Sequence, residues 1–190
     1  LWPVWLATGV FAGLVAVFMA FATVAASGRG VQNPAMLWLS YAGGAVAVRL
    51  VGAKLPERIG TGKVGAVSLF NYAVGFWIAA GAQSIEGFLV AGLFCGLGHG
   101  YAFPVLAGQT VERSPKELRG MALSAFTGLW EVARLFLAPL FGLIADLSSD
   151  ATMLRIAAIA GLVGLLGWGL AERAVQRAPK PRPARGPDGV

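Results

Sequence analysis

Three ionisable residues sit inside long apolar stretches of this sequence: His99, Glu131 and Arg134. A charge at the centre of a membrane span costs about 3 kcal/mol or more, so residues of this kind face protein or water and mark substrate or proton pathways. Glu131 and Arg134 are three residues apart and share a helix face, close enough to pair. Two readings follow for them. Glu131 is a proton-titrating carboxylate or a charged substrate contact whose proton affinity Arg134 adjusts, or the two form a structural ion pair that neutralises itself. His99, the one histidine, is suited to carrying a proton near neutral pH or to a hydrogen bond with a neighbouring helix. Tyr41, Tyr101 and Trp130 are further candidates to line a cavity, among other span residues (Asn71, Tyr72 and Gln109) that can bond across helices.

Other chemistries lack the residues they need. There is no GxSxG elbow, HExxH pair, phosphate-binding loop or dinucleotide fingerprint, which argues against an enzyme. The single cysteine, Cys95, lies in an apolar run and reads as an inert buried thiol. With one His and one Cys, neither a metal centre nor a cofactor is expected.

The elements that hold these residues follow from run length. The chain has 190 residues, of which 57% are hydrophobic and 13% charged, with a mean hydropathy of +0.71. Soluble domains carry about a quarter charged residues. Six apolar stretches, at about 4–26, 35–54, 64–82, 86–109, 120–146 and 152–171, each reach the length needed to cross hydrocarbon, roughly 20 residues of helix. Backbone groups in lipid must be satisfied internally, and runs this long are helices rather than barrel strands. An all-α membrane protein of six spans is the expected fold, with residues 1–172 forming the bundle. The links read as turns at Ser27–Pro34, Pro56–Gly62, Gln83–Ile85 and Ser114–Pro115.

Charge sets the expected orientation. Lys54, Arg58 and Lys63 follow span two, Arg113, Lys116 and Arg119 follow span four, and Arg173, Arg177, Lys180, Arg182 and Arg185 follow span six. Those eleven face Arg29 and Arg155 on the other side, which places both ends in the cytoplasm. The net charge of +6 therefore serves topology. It forms no basic face interleaved with stacking aromatics, and nucleic acid is not an expected partner. Residues 173–190, rich in Arg, Pro and Lys, are expected to be a disordered cytoplasmic tail. Glycines at helical spacing, such as Gly92, Gly96 and Gly100, are expected at close helix contacts. The first run starts at Leu1-Trp2-Pro3 without a basic flank and is too long for a signal-peptide core. Beginning at Leu rather than Met, the sequence is expected to be a segment of a longer protein.

Two stretches resemble the major facilitator superfamily. Arg49-Leu-Val-Gly-Ala-Lys-Leu-Pro-Glu-Arg-Ile-Gly60 is similar to the loop that joins the second and third helices of each half in that family. Glu57-Arg58-Ile59-Gly60 matches its acidic-Arg-x-Gly core, while Ala53 stands for the usual Gly and Thr61 for the usual Arg. Gly96-Leu-Gly-His-Gly-Tyr-Ala-Phe-Pro104, then Val111-Glu-Arg-Ser-Pro115, Arg119-Gly120 and Glu131, look like helices ten and eleven of bacterial drug- and sugar-efflux facilitators. Glu131 falls at the central acidic position, and Arg134 departs from the small residue expected there. The resemblance covers about residues 1–172 as helices seven to twelve, one half of a twelve-helix facilitator fold. It implies proton-coupled export of a small molecule across the cytoplasmic (inner) membrane by alternating access, with the cavity between two halves. Spans one, two, four and five would line it and spans three and six would face lipid. Glu57, Arg58 and Gly60 would form a cytoplasmic gating loop. The implied partners are the substrate, protons, the lipid bilayer and a missing N-terminal half or a second copy. The alternative expectation is a self-standing six-span channel or scaffold subunit working as an oligomer.

Overall fold

The computed structural model describes residues 1–177 as seven α-helices: α1 (Trp2–Gly28), α2 (Leu37–Val51), α3 (Leu55–Ile59), α4 (Thr61–Gly81), α5 (Ile85–Glu112), α6 (Arg119–Leu147) and α7 (Asp150–Arg177). All but the five-residue α3 are long and apolar enough to span a membrane, α2 together with the 3-10 turn Pro34–Met36 that precedes it. The six-span expectation holds, with shifted ends. α2 stops at Val51 rather than at residue 54. The segment around Pro56 is not an open loop but the short helix α3, because Pro56 falls in its first turn, where a missing N–H does no harm. Gly60, at φ +94°, ends α3 and starts α4 in a backbone conformation that glycine adopts without strain. α7 continues through Arg177, past the expected start of the tail at residue 173. Residues 178–190 of that tail lie outside the described residues.

Helices associate in lipid by van der Waals fit rather than by escape from water, so small residues decide which pairs approach. The α2–α5 seam shows this. Gly44 of α2 lies against the α5 backbone, where an added Cβ would come within 2.6 Å of the Leu93 carbonyl oxygen. Gly96 of α5 answers it, since a Cβ there would strike the Tyr41 carbonyl. The expected close-contact role of the glycines at 92, 96 and 100 is met at this seam. α4 packs on α5 and α7, while α6 rests chiefly on α1. The interior is filled by Phe11 and Phe18 of α1, Tyr72 and Phe76 of α4, Phe88 of α5 and Phe126 of α6.

α6 is the least covered span. Along its 29 residues only Ala122, Phe126 and Ala133 are buried. One side of it is packed, and the rest is open.

At the end where α1 meets α2, Arg29 ties three connections together. Its guanidinium donates to the carbonyls of Ala79 (2.7 Å) and Ala82 (2.6 Å) at the end of α4, and to Asp150 at the start of α7 (3.0 Å). It also lies over the Phe88 ring, 5.4 Å from the centroid. At the opposite end Arg113 donates to Glu172 at 2.7 Å, joining α5 to α7. Among the described residues, each end of the bundle thus carries one cross-helix ion pair.

Candidate functional site

α5 places His99 next to α2, and the glycine seam brings the two backbones close enough for their side chains to bond. His99 Nδ1 lies 2.8 Å from the Tyr41 hydroxyl, which lies 3.0 Å from the Tyr72 hydroxyl of α4. Tyr72 is fully buried, and Tyr41 is its hydroxyl's hydrogen-bond partner among the described residues. A hydroxyl has one proton to donate. If Tyr72 donates to Tyr41 and Tyr41 to Nδ1, both protons are used; in the reverse order the Tyr72 proton has no acceptor among the described residues. The neutral imidazole therefore carries its proton on Nε2, and the chain runs Tyr72 to Tyr41 to His99.

Aromatic rings surround the imidazole. Phe103, one turn along α5, is stacked at 6.4 Å, Phe11 of α1 is 5.6 Å away and Trp130 of α6 meets it edge-on at 6.1 Å. Trp130 also packs edge-to-face on Phe11 and Phe103. Its indole N–H is buried and has no partner among the described residues. Tyr41, Trp130 and His99 are thus one cluster where α1, α2, α5 and α6 meet.

Tyr101 does not join it. Its hydroxyl donates to the Gly52 carbonyl at 2.8 Å, at the far end of α2, because α5 turns residue 101 away from residue 99. Tyr101 instead lines a separate cavity near α3, between the end of α2 and the start of α4.

Nor are Glu131 and Arg134 packed with His99 in the interior. Both project from the uncovered side of α6, with side chains 66% and 60% exposed. They approach each other only to 3.9 Å, the loose end of ion-pair distance. Trp130, one residue earlier, points inward instead. The outward residues Thr127, Glu131 and Arg134 follow at spacings of four and three and form a polar strip. Val132, Leu135 and Phe136 are exposed beside it. The pairing expected from sequence is present but weak, and it stands one helix face away from the histidine.

Glu57 and Arg58 of α3 are exposed and make no ion pair with the described residues, while Gly60 sets the turn into α4. Tyr72, one of the span residues able to bond across helices, does so to Tyr41 and thereby joins the site. It belongs to the third span, which the resemblance would turn toward lipid. α4 does keep an exposed apolar side at Val67, Phe70 and Trp77, and it buries Tyr72 on the other. A tyrosine among small and aliphatic residues signals a partner but not which one.

A profile of the Major Facilitator Superfamily matches residues 4–188. A protein of Salmonella typhimurium described as an uncharacterized MFS-type transporter is 31% identical over 119 residues, covering 63% of this chain and 31% of its own length. Another of that description, from Pseudomonas aeruginosa strain UCBPP-PA14, is 27% identical over 145 residues, covering 76% of this chain and 36% of its own. The chain spans about a third of the length of the curated relatives it matches.

Proposed function

The chain belongs to the Major Facilitator Superfamily, a family of transporters rather than enzymes, and from that premise we propose that it is the C-terminal six-helix half of a proton-coupled small-molecule exporter. The uncovered polar strip of α6 carries this reading. Glu131 and Arg134 stand mid-span, more than half exposed, on a helix that five others leave bare. Charges in that position are too costly to face hydrocarbon. They belong against a second six-helix unit, along a water-filled path between the two. The loose pair leaves Glu131 free to exchange its partner for a proton or for a cationic group of the substrate.

The His99 cluster is the fixed wall behind that strip. Trp130 joins the two, packing on His99 while its neighbour Glu131 faces outward. Alternating access then moves this half as a body, with the Arg29–Asp150 and Arg113–Glu172 ties holding its two ends. The basic end at Lys54, Arg58, Arg113 and Arg119 faces the cytoplasm of a bacterial inner membrane. The test is proton-driven efflux by the full-length protein in vesicles. Glu131→Gln is expected to abolish dependence on the proton gradient, and unchanged coupling would remove Glu131 as the proton carrier.

A further inference from the structure

A cavity lies apart from the α6 strip, between the end of α2, the start of α4 and the last turns of α5. It has a volume of about 310 Å³. Val48 and Val105 line its apolar part, and Arg49, Thr61, Gln109 and Glu112 its polar part.

Gln109 is the unusual member. It is 2% exposed, and its amide oxygen accepts from Arg113 at 3.2 Å, which fixes how the amide is turned. The amide nitrogen is then the free end, buried and without a partner among the described residues. A buried donor left unpaired costs about 1–3 kcal/mol, so it calls for an acceptor. The start of α4 supplies more donors of the same kind. Thr61 is the first residue of this 21-residue helix, and no side chain caps its leading N–H groups. Such a helix start favours an anion. Arg49 adds a full positive charge.

From the unpaired Gln109 amide, the uncapped start of α4 and the Arg49 guanidinium around one cavity, we infer that this chain binds a phosphate-bearing anion there. The apolar walls fit the chain of an anionic phospholipid from the leaflet at the basic end, and a soluble phosphate compound presents the same headgroup chemistry. Glu112, the one acid among the lining residues, opposes the anion and limits its affinity.

Native mass spectrometry of the delipidated full-length protein tests this, with phosphatidylglycerol, diacylglycerol of the same acyl chains and inorganic phosphate as probes. Phosphatidylglycerol is expected to be retained and diacylglycerol not. Arg49→Gln and Gln109→Glu should each lower retention at least five-fold, and Glu112→Gln should raise it. Gln109→Glu keeps the acceptor for Arg113, and Arg49 is exposed, so neither change removes a packing contact. Displacement of the lipid by millimolar inorganic phosphate would assign the same site to a soluble phosphate compound, while resistance would assign it to the lipid. Equal retention of diacylglycerol, or retention indifferent to both variants, would overturn the inference.

Discussion

The Tyr41 hydroxyl lies 2.8 Å from His99 Nδ1 and 3.0 Å from the Tyr72 hydroxyl, so one side chain of α2 joins α5 to α4 through a three-member hydrogen-bonded chain. Removing it leaves an imidazole nitrogen and a buried phenol without their partner.

Tyr41→Phe keeps the ring and its stacking with Phe18 but deletes both bonds. A loss of about 1–3 kcal/mol is expected, the cost of unpaired buried polar groups, read as a lower unfolding temperature in detergent. The double variant Tyr41→Phe/Tyr72→Phe should recover part of it, because the orphaned phenol is gone. Independent, additive losses would show that the two hydroxyls do not interact.

The α2–α5 seam tolerates no side chain at position 96, where a Cβ would strike the Tyr41 carbonyl. Gly96→Val should part the helices and reduce folded protein in the membrane severely. Gly43→Ala, on the same helix pair but with nothing within 4 Å of an added Cβ, should be neutral. Size-exclusion profiles of the two variants in mild detergent separate these outcomes.

Arg29 holds the other end of the bundle. Arg29→Ala strands Asp150 and two carbonyls of α4. Since Asp150 is 38% exposed, water compensates in part, and a loss of about 2 kcal/mol is expected. Hydrogen exchange should rise at Ala79–Ala82 and at the start of α7 while the His99 region stays protected. Uniform loss of protection would mean that Arg29 has no local role.

Much of this was legible in the sequence. The lengths of the apolar runs gave six spans because hydrocarbon thickness fixes helix length, and the glycines at 92, 96 and 100 announced their seam. Glu131 and Arg134 were recognisable as a same-face pair because helical spacing is local. What spacing leaves open is rotation. Sequence places His99, Glu131 and Arg134 at similar depth but does not say that α6 turns Trp130 inward and the pair outward. Rotation also separates Tyr101 from His99, since two residues along a helix reverse the direction of a side chain, and Tyr101 lines the cavity beside α3 instead. The Tyr72 contact and the Arg29 tie join residues at least thirty-one positions apart, and no local pattern encodes such partners.

Orientation is testable at the two ends. Cys95 is buried, so the native thiol gives a quiet background. Gln83→Cys, in the turn between α4 and α5, should react with an impermeant maleimide on intact cells. Glu57→Cys on α3 should react only after the membrane is opened.

In the proposed transporter the α6 strip borders water rather than lipid. The most direct test of this is the reactivity of single cysteines in the full-length transporter toward a charged methanethiosulfonate reagent. Thr127→Cys and Arg134→Cys should react readily and be protected by transported substrate, while Phe70→Cys on the outer side of α4 should stay unreactive. Unreactive cysteines at 127 and 134, with the protein folded and active, would contradict the account.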